Sequence, residues 1–299
     1  ATQLLGCTYH PLTIGAAMVK LVLTDMDNTL VSFRHPVSER ALGAIHRLTD
    51  QGVFFGPASG RDWASVLESF CSDEACMQTA LLSNGKKIYA YGTLMNQTSM
   101  DRESIVTMAE MVYDLPGVYV SGRGDQGGFI SGTTRESLMG TFWGSKRAVE
   151  LCEPQDIPHW PIITAGLHFE EGSEGIDNVA WGDRVRAACP KLDLISPGSR
   201  MFDCVPKGWS KASGLRVLQI LLGIGNDEVV CFGDSDNDYQ ILAAIDHSVA
   251  VANASDRVRD VARHHIGACE DDAVGRALQD LAELGDDAFE KWDAARQDS

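Results

Sequence analysis

Asp25 and Asp27 stand two residues apart in LVLTDMDNTL, residues 21–30, directly behind the apolar run Leu21-Val22-Leu23. Side chains two apart in an extended chain share a face, so these carboxylates can converge on one small volume. There they repel each other unless a cation or a proton lies between them. An apolar run ended so abruptly reads as a buried central strand, and in a doubly wound sheet ligands bind just beyond the carboxyl ends of the strands. Asp and Asn also suit an ordinary polar turn, so this stretch alone is balanced between chemistry and punctuation.

Three later stretches tilt the balance. Gly56-Pro57-Ala58-Ser59-Gly60-Arg61 follows the apolar segment Val53–Phe55, and Lys207-Gly208-Trp209-Ser210-Lys211 precedes an amphipathic segment. Gly233-Asp234-Ser235-Asp236-Asn237-Asp238 follows Val229–Phe232. In this order the four stretches resemble the motifs of the haloacid dehalogenase (HAD) superfamily of phosphohydrolases. The likeness is nearest to its Cof-type branch, whose cap domain is inserted after the second motif, and it covers most of residues 19–283.

The resemblance implies an α/β fold, a doubly wound parallel-sheet (Rossmann-like) core with an inserted α+β cap. It also implies hydrolysis of a small phosphorylated metabolite, such as a sugar phosphate, with Mg²⁺ as cofactor. Asp25 is then the nucleophile that forms an aspartyl-phosphate. Asp27 is the general acid for the leaving group and the base for the attacking water. Asp25, Asp234 and the backbone carbonyl of Asp27 hold the metal, and Asp238 supports it or orients Lys211. Ser59, Gly60, Asn237 and the backbone amide of Met26 contact the phosphoryl group. Ser59 stands where many family members have Thr and keeps the hydroxyl. Lys211 neutralises phosphate charge. Lys207 is its rival one helical turn earlier, and Lys211 is preferred because Ser210 can cap a helix that begins there. A phosphomutase with the same motifs, or a non-catalytic protein that binds phosphometabolites, are the other readings.

Composition fits this picture. The chain has 299 residues, 44% hydrophobic and 22% charged, enough for one large or two ordinary domains. A formal net charge of −17 argues against nucleic acid or an anionic membrane as partner, and means that any phosphate site must be locally cationic. No run approaches the length of a membrane span. The first 17 residues do not read as a signal peptide and are assigned no role. None of the eight cysteines forms a C-x-x-C pair, and reduced thiols in a cytoplasmic protein are expected. Nothing specifies an oligomeric state.

The elements that must position these residues follow from periodicity. Strands at 20–25 and 53–57, each followed by a helical pattern, and a short strand at Ala80–Leu82 predict a parallel sheet. The rhythm changes near residue 86, so 86–199 is expected to form the cap, and 18–85 with 200–299 the core. Helices are expected at 101–113, within 134–151, and at 178–188. Alternation resumes with helices at 210–222 and 237–244 around a strand at 228–233. His264-His265 reads as a polar helix end. Gly122-Arg-Gly-Asp-Gln-Gly127 spells G-x-G-x-x-G but leads into strand and turn, which argues against a dinucleotide site.

Overall fold

A computed structural model describes residues 19–32, 35–132, 149–170, 172–198 and 200–297. The extension 1–17 and most of the helix expected within 134–151 lie outside the described residues.

The core is a five-stranded, wholly parallel sheet. β1 (Leu21–Thr24) is an interior strand, with β2 (Phe54–Pro57) at the edge on one side. On the other side follow β12 (Val229–Gly233), β13 (His247–Ala250) and β14 (His264–His265). All four residues of β1 are buried, as a parallel strand covered on both faces requires. Leu21 pairs in register with Val229 and with Phe54, so β1 ends level with both neighbours and its carboxyl end opens at the point where strand order reverses. Helices α1 (Glu39–Asp50), α8 (Ala273–Leu284) and α9 (Asp287–Gln297) pack as one group. A second group comprises α5 (Lys211–Leu222), α6 (Tyr239–Leu242) and α7 (Asp256–Val261). Ser38 caps α1, its hydroxyl accepting from the Ala41 amide at 3.1 Å.

Two local expectations need correction. His264-His265 is the edge strand β14, not a helix end. His264 is buried there because α9 covers it: Phe289 stacks against both His247 and His264, with centroids 4.2 and 4.9 Å away, and Asp293 meets His264 Nδ1 at 2.9 Å. The helix expected at 237–244 is only α6, because the turn that presents Asp238 uses the residues before it.

The inserted unit is built on β6 (Val118–Gly124), β7 (Gly127–Ser131), β8 (Val149–Leu151), β9 (Thr164–Phe169), β10 (Leu192–Gly198) and β11 (Met201–Pro206). Their order is β10-β11-β9-β6-β7-β8, antiparallel except for the β7–β8 pair. Helices α3 (Arg102–Val112) and α4 (Asn178–Ala188) pack on one another beside this sheet. The G-x-G-x-x-G stretch is the tip of the β6–β7 hairpin, with Gly124 opposite Gly127. Between core and cap, β3 (Ala80–Leu82), β4 (Lys87–Ala90) and β5 (Thr93–Gln97) form a small antiparallel sheet. Ile88 and Ala90 belong to the apolar cluster of the core, whereas the cap cluster runs from Met100 to Cys204. Apolar packing therefore divides between Ala90 and Met100 and again between Cys204 and Ala212, beyond the change of rhythm at 86 and 199.

The cap sheet buries His168 on β9. Its ring stacks on Tyr119, centroids 4.6 Å apart, and its Nε2 meets the Ser121 hydroxyl at 2.8 Å. Gly166 makes room on the same face, since a Cβ there would lie 2.7 Å from His168 Nε2. Burial pushes the imidazole down to about 4 from 6.5, so it is neutral in the fold. The unfolded chain then binds the extra proton between these two values. The stability contributed by neutral His168 is complete above about pH 6.5 and is lost as pH falls toward 4. Urea unfolding at pH 7 and pH 5 should show a loss of about 2 kcal/mol from this residue. His168→Gln should flatten that pH dependence; an equal loss in both proteins would contradict it.

Candidate active site

Each site residue sits where a strand ends or a helix begins. Asp25 leaves β1 with its amide donating to the Phe232 carbonyl of β12 at 2.9 Å, which extends the ladder to the first carboxylate. The chain then turns back: the Val31 amide donates to the Met26 carbonyl at 2.9 Å, and Asn28 takes a φ of 59°. Such a value suits Asn better than most residues. Met26 is buried under the turn.

Lys211 is the first residue of α5, and it is only 1% exposed. Its ammonium donates to Asp25 Oδ1 at 2.5 Å and to Asp238 Oδ1 at 2.6 Å. The other oxygen of Asp238 accepts from the amides of Asp234 and Ser235, both at 3.2 Å. Asp238 thus braces the turn after β12 while it orients the lysine. The Thr29 hydroxyl donates to Asp234 Oδ1 at 2.7 Å. Lys207 points elsewhere: its side chain is 65% exposed and pairs with Asp193 at 2.6 Å.

Asp25, Asp234 and Asp238 each bring a carboxylate oxygen within 4.8 Å of the others. Three carboxylates face one ammonium, an excess of negative charge in a buried space. Burial, with Asp238 and Asp234 adding to it against the pull of Lys211, raises Asp25 to about 8. Burial and Asp238 raise Asp234 to about 6. Burial alone would lower Lys211, but Asp238 and Asp25 outweigh it and hold the ammonium above its ordinary value. A cluster of hard oxygens that protonates for want of positive charge is suited to a divalent cation such as Mg²⁺.

Asp27 does not join this cluster through its carboxylate. Arg61 grips it with two bonds, Nε to Oδ2 at 2.8 Å and Nη2 to Oδ1, while Nη1 donates to the Ser69 hydroxyl at 2.9 Å. Ser59 is buried at the end of β2, its amide donating to the Leu81 carbonyl at 2.8 Å and its hydroxyl accepting from the Arg61 amide at 3.1 Å. Gly60 borders Asn84, whose side chain would lie 3.3 Å from a Cβ there. The Asn237 carbonyl oxygen accepts from the Ser235 hydroxyl at 2.7 Å within its own turn.

Four further residues escaped the sequence reading: Thr29, Arg61 as the partner of Asp27, Asn84, and Asp203 of β11, which accepts from Asn84 Nδ2 at 3.2 Å. Ser83-Asn84-Gly85 carries a turn signal that marked only the end of a strand. Asp203 is one polar residue in an alternating strand, a pattern that says nothing about its partner.

The family of haloacid dehalogenase-like hydrolases matches residues 22–278, which take in Asp25, Asp27 and the three later stretches. The HMP-PP phosphatase of Klebsiella pneumoniae (strain 342) is 26% identical over 272 residues, covering 87% of this chain and 95% of its own. The 5-amino-6-(5-phospho-D-ribitylamino)uracil phosphatase YbjI of Escherichia coli (strain K12) is 25% identical over 250 residues, covering 83% and 91%. The HAD subclass IIB sugar phosphatase BT4131 superposes with a TM-score of 0.74 at 18% identity, over 89% of this chain and 100% of that one, a likeness of fold. A match spanning most of β1, the carboxylate cluster and the cap means that the chain belongs to the haloacid dehalogenase-like hydrolases, as a phosphatase-type member with an inserted cap.

Proposed function

We propose that the protein is a Mg²⁺-dependent phosphatase that removes the phosphoryl group of a small phosphorylated metabolite through an aspartyl-phosphate on Asp25. The observation that carries this reading is the buried Lys211 ammonium bridging Asp25 and Asp238 beside Asp234. Asp25, Asp234 and Asp238, with the Asp27 backbone carbonyl, would hold the metal, which supplies charge neutralisation around the phosphoryl oxygens.

Lys211 restrains Asp25 Oδ1, leaving the other oxygen free to attack phosphorus in line. As the bond to Asp25 forms, that to the leaving oxygen breaks, and Asp27 supplies the proton that oxygen needs. In the resting site both Asp27 oxygens accept from Arg61, so Asp27 first leaves this pair and takes up a proton from solvent. Asp27, now ionised, takes a proton from the water that cleaves the aspartyl-phosphate and releases inorganic phosphate. Ser59, Gly60, Asn237 and the Met26 amide bind the phosphoryl oxygens. The substrates named for the relatives, HMP-PP and 5-amino-6-(5-phospho-D-ribitylamino)uracil, make compact phosphorylated metabolites the first class to test.

A panel of phosphorylated metabolites tests the activity. Release of inorganic phosphate matching substrate loss is expected; isomerised product without phosphate release would make the enzyme a mutase, and turnover in excess EDTA would remove the metal from the mechanism. Lys211→Ala should lower kcat/KM about a hundredfold, the usual cost of losing one charge aimed at the transition state. Lys207→Ala should stay within about threefold of the parent, because an exposed pair is screened by solvent. The reverse ranking on one substrate would misplace the third motif by a helical turn.

Metal binding should also be linked to protons. Asp25 near 8 and Asp234 near 6 are partly protonated at neutral pH without metal, so a cation must displace protons to bind. Mg²⁺ affinity is therefore expected to rise as pH increases from about 6 to 8. Calorimetry in buffers of different ionisation enthalpy would show proton release on binding near pH 7; a buffer-independent enthalpy would refute the linkage.

A further inference from the structure

Residues 83–86 touch three parts of the molecule at once. Ser83, Asn84 and Gly85 have φ of 53°, 58° and 78° in succession. Two non-glycine residues in the left-handed region are held there by their surroundings. On one side, the amides of Asn84 and Ser83 donate to the carbonyls of Ser59 and Arg61, both at 3.0 Å, which fastens the phosphate-binding loop. On another, Gly85 lies against the first turn of α5: a Cβ on it would come 3.1 Å from the Ser210 carbonyl and 3.3 Å from the α-carbon of Lys211. A side chain there would have to push the first turn of α5 back by a few tenths of an ångström and would also hold a strained positive φ.

The third side is the cap. Lys86 is 2% exposed, and it holds both chain crossings. Its carbonyl accepts from the Thr98 amide at 2.8 Å, where the chain leaves β5 for the cap. Its ammonium donates to the Cys204 carbonyl at 2.9 Å, in β11, where the chain returns. Asn84 adds the bond to Asp203, the neighbouring residue of β11. An apolar side chain would fill this space without the cost of a buried charge, so the lysine is informative. Burial drives its ammonium down to about 8, against the opposing pull of Asp203 and Cys204.

We propose that Lys86 is a positioning residue that registers the cap on the phosphate-binding loop, its backbone carbonyl holding the outgoing crossing and its ammonium the returning one, beside the turn that also supports Ser59 and α5. Cap orientation and phosphate-loop geometry are then coupled through four residues. The leaving group, which the cap must orient, is placed relative to a phosphoryl group that the core alone binds. The catalytic consequence rests on the phosphatase reading; the structural coupling does not.

Lys86→Met keeps the length of the side chain, removes the ammonium and leaves the Cys204 carbonyl without its donor. Hydrogen exchange on the full Mg²⁺-loaded chain is expected to speed at least tenfold along β11, with Thr98, whose bond to the Lys86 backbone is kept, and with β1 and β12 changing less than twofold. Unaltered exchange in β11, or acceleration spread evenly into β1 and β12, would overturn the proposal. With p-nitrophenyl phosphate as probe, kcat should fall about tenfold while inhibition by inorganic phosphate stays within twofold, because the backbone bonds to Ser59 and Arg61 remain. Equal losses in kcat and phosphate binding would show general damage and reject a positioning role. If Lys86→Met does not fold, Asp203→Ala, which removes the acceptor for Asn84, should speed exchange in β11 alone, and unchanged exchange there would count against the coupling. A parent protein that hydrolyses no ester would defeat the phosphatase reading, and the exchange comparison would still decide the coupling.

Discussion

The ion pair system of Lys211 with Asp25 and Asp238 is the constraint on which the rest of the structure depends. A fully buried ammonium is tolerable only with anionic partners at hydrogen-bond distance, and here it has two. That arrangement requires three separate chain segments to end at one point: the carboxyl end of β1, the turn after β12 and the first residue of α5. Parallel pairing of β1 with β12 supplies the first coincidence, since their register brings Thr24 level with Phe232. The Ser210–Ser213 contact at the start of α5 fixes the second by setting where the helix begins.

The same charges that hold the lysine leave the site short of positive charge. Three carboxylates against one ammonium is a surplus that protons or a cation must balance, and the raised values of Asp25 and Asp234 express it. In a chain of net charge −17, this also explains how an anionic substrate can approach. Attraction must be local and buried, because the long-range field of the protein opposes it. Among the described residues, Arg61 and Lys211 are the cations that contact Asp27 and Asp25, and each is already committed to a carboxylate.

The cap is a separate apolar cluster that meets the core through few polar contacts, and those described concentrate on one short turn. Asn84 and Lys86 reach β11 from the core, and Lys87 pairs with Asp125 at the tip of the β6–β7 hairpin, 2.6 Å apart. An interface of that kind can carry orientation without being a large packed surface. The small sheet β3-β4-β5 is what places this turn beside Ser59, through the bridge between Ala58 and Leu81.

Local pattern was enough for much of this protein. The apolar run before Asp25, the strand–helix alternation and the order of four short stretches are readable without coordinates, because burial on both faces and helical periodicity leave marks within ten residues. That a helix begins at Lys211 was also readable, since Ser210 marks its start. What only the tertiary structure decided are pairings across long sequence separations. Arg61 binds Asp27 rather than solvent, Thr29 meets Asp234 from 205 residues away, and Lys86 reaches Cys204 across 118. His264 becomes an edge strand because α9 arrives to bury it. Side-chain type and spacing state what a residue could bond to. Which partner it meets depends on sheet order and register, and those are properties of the whole chain packed together.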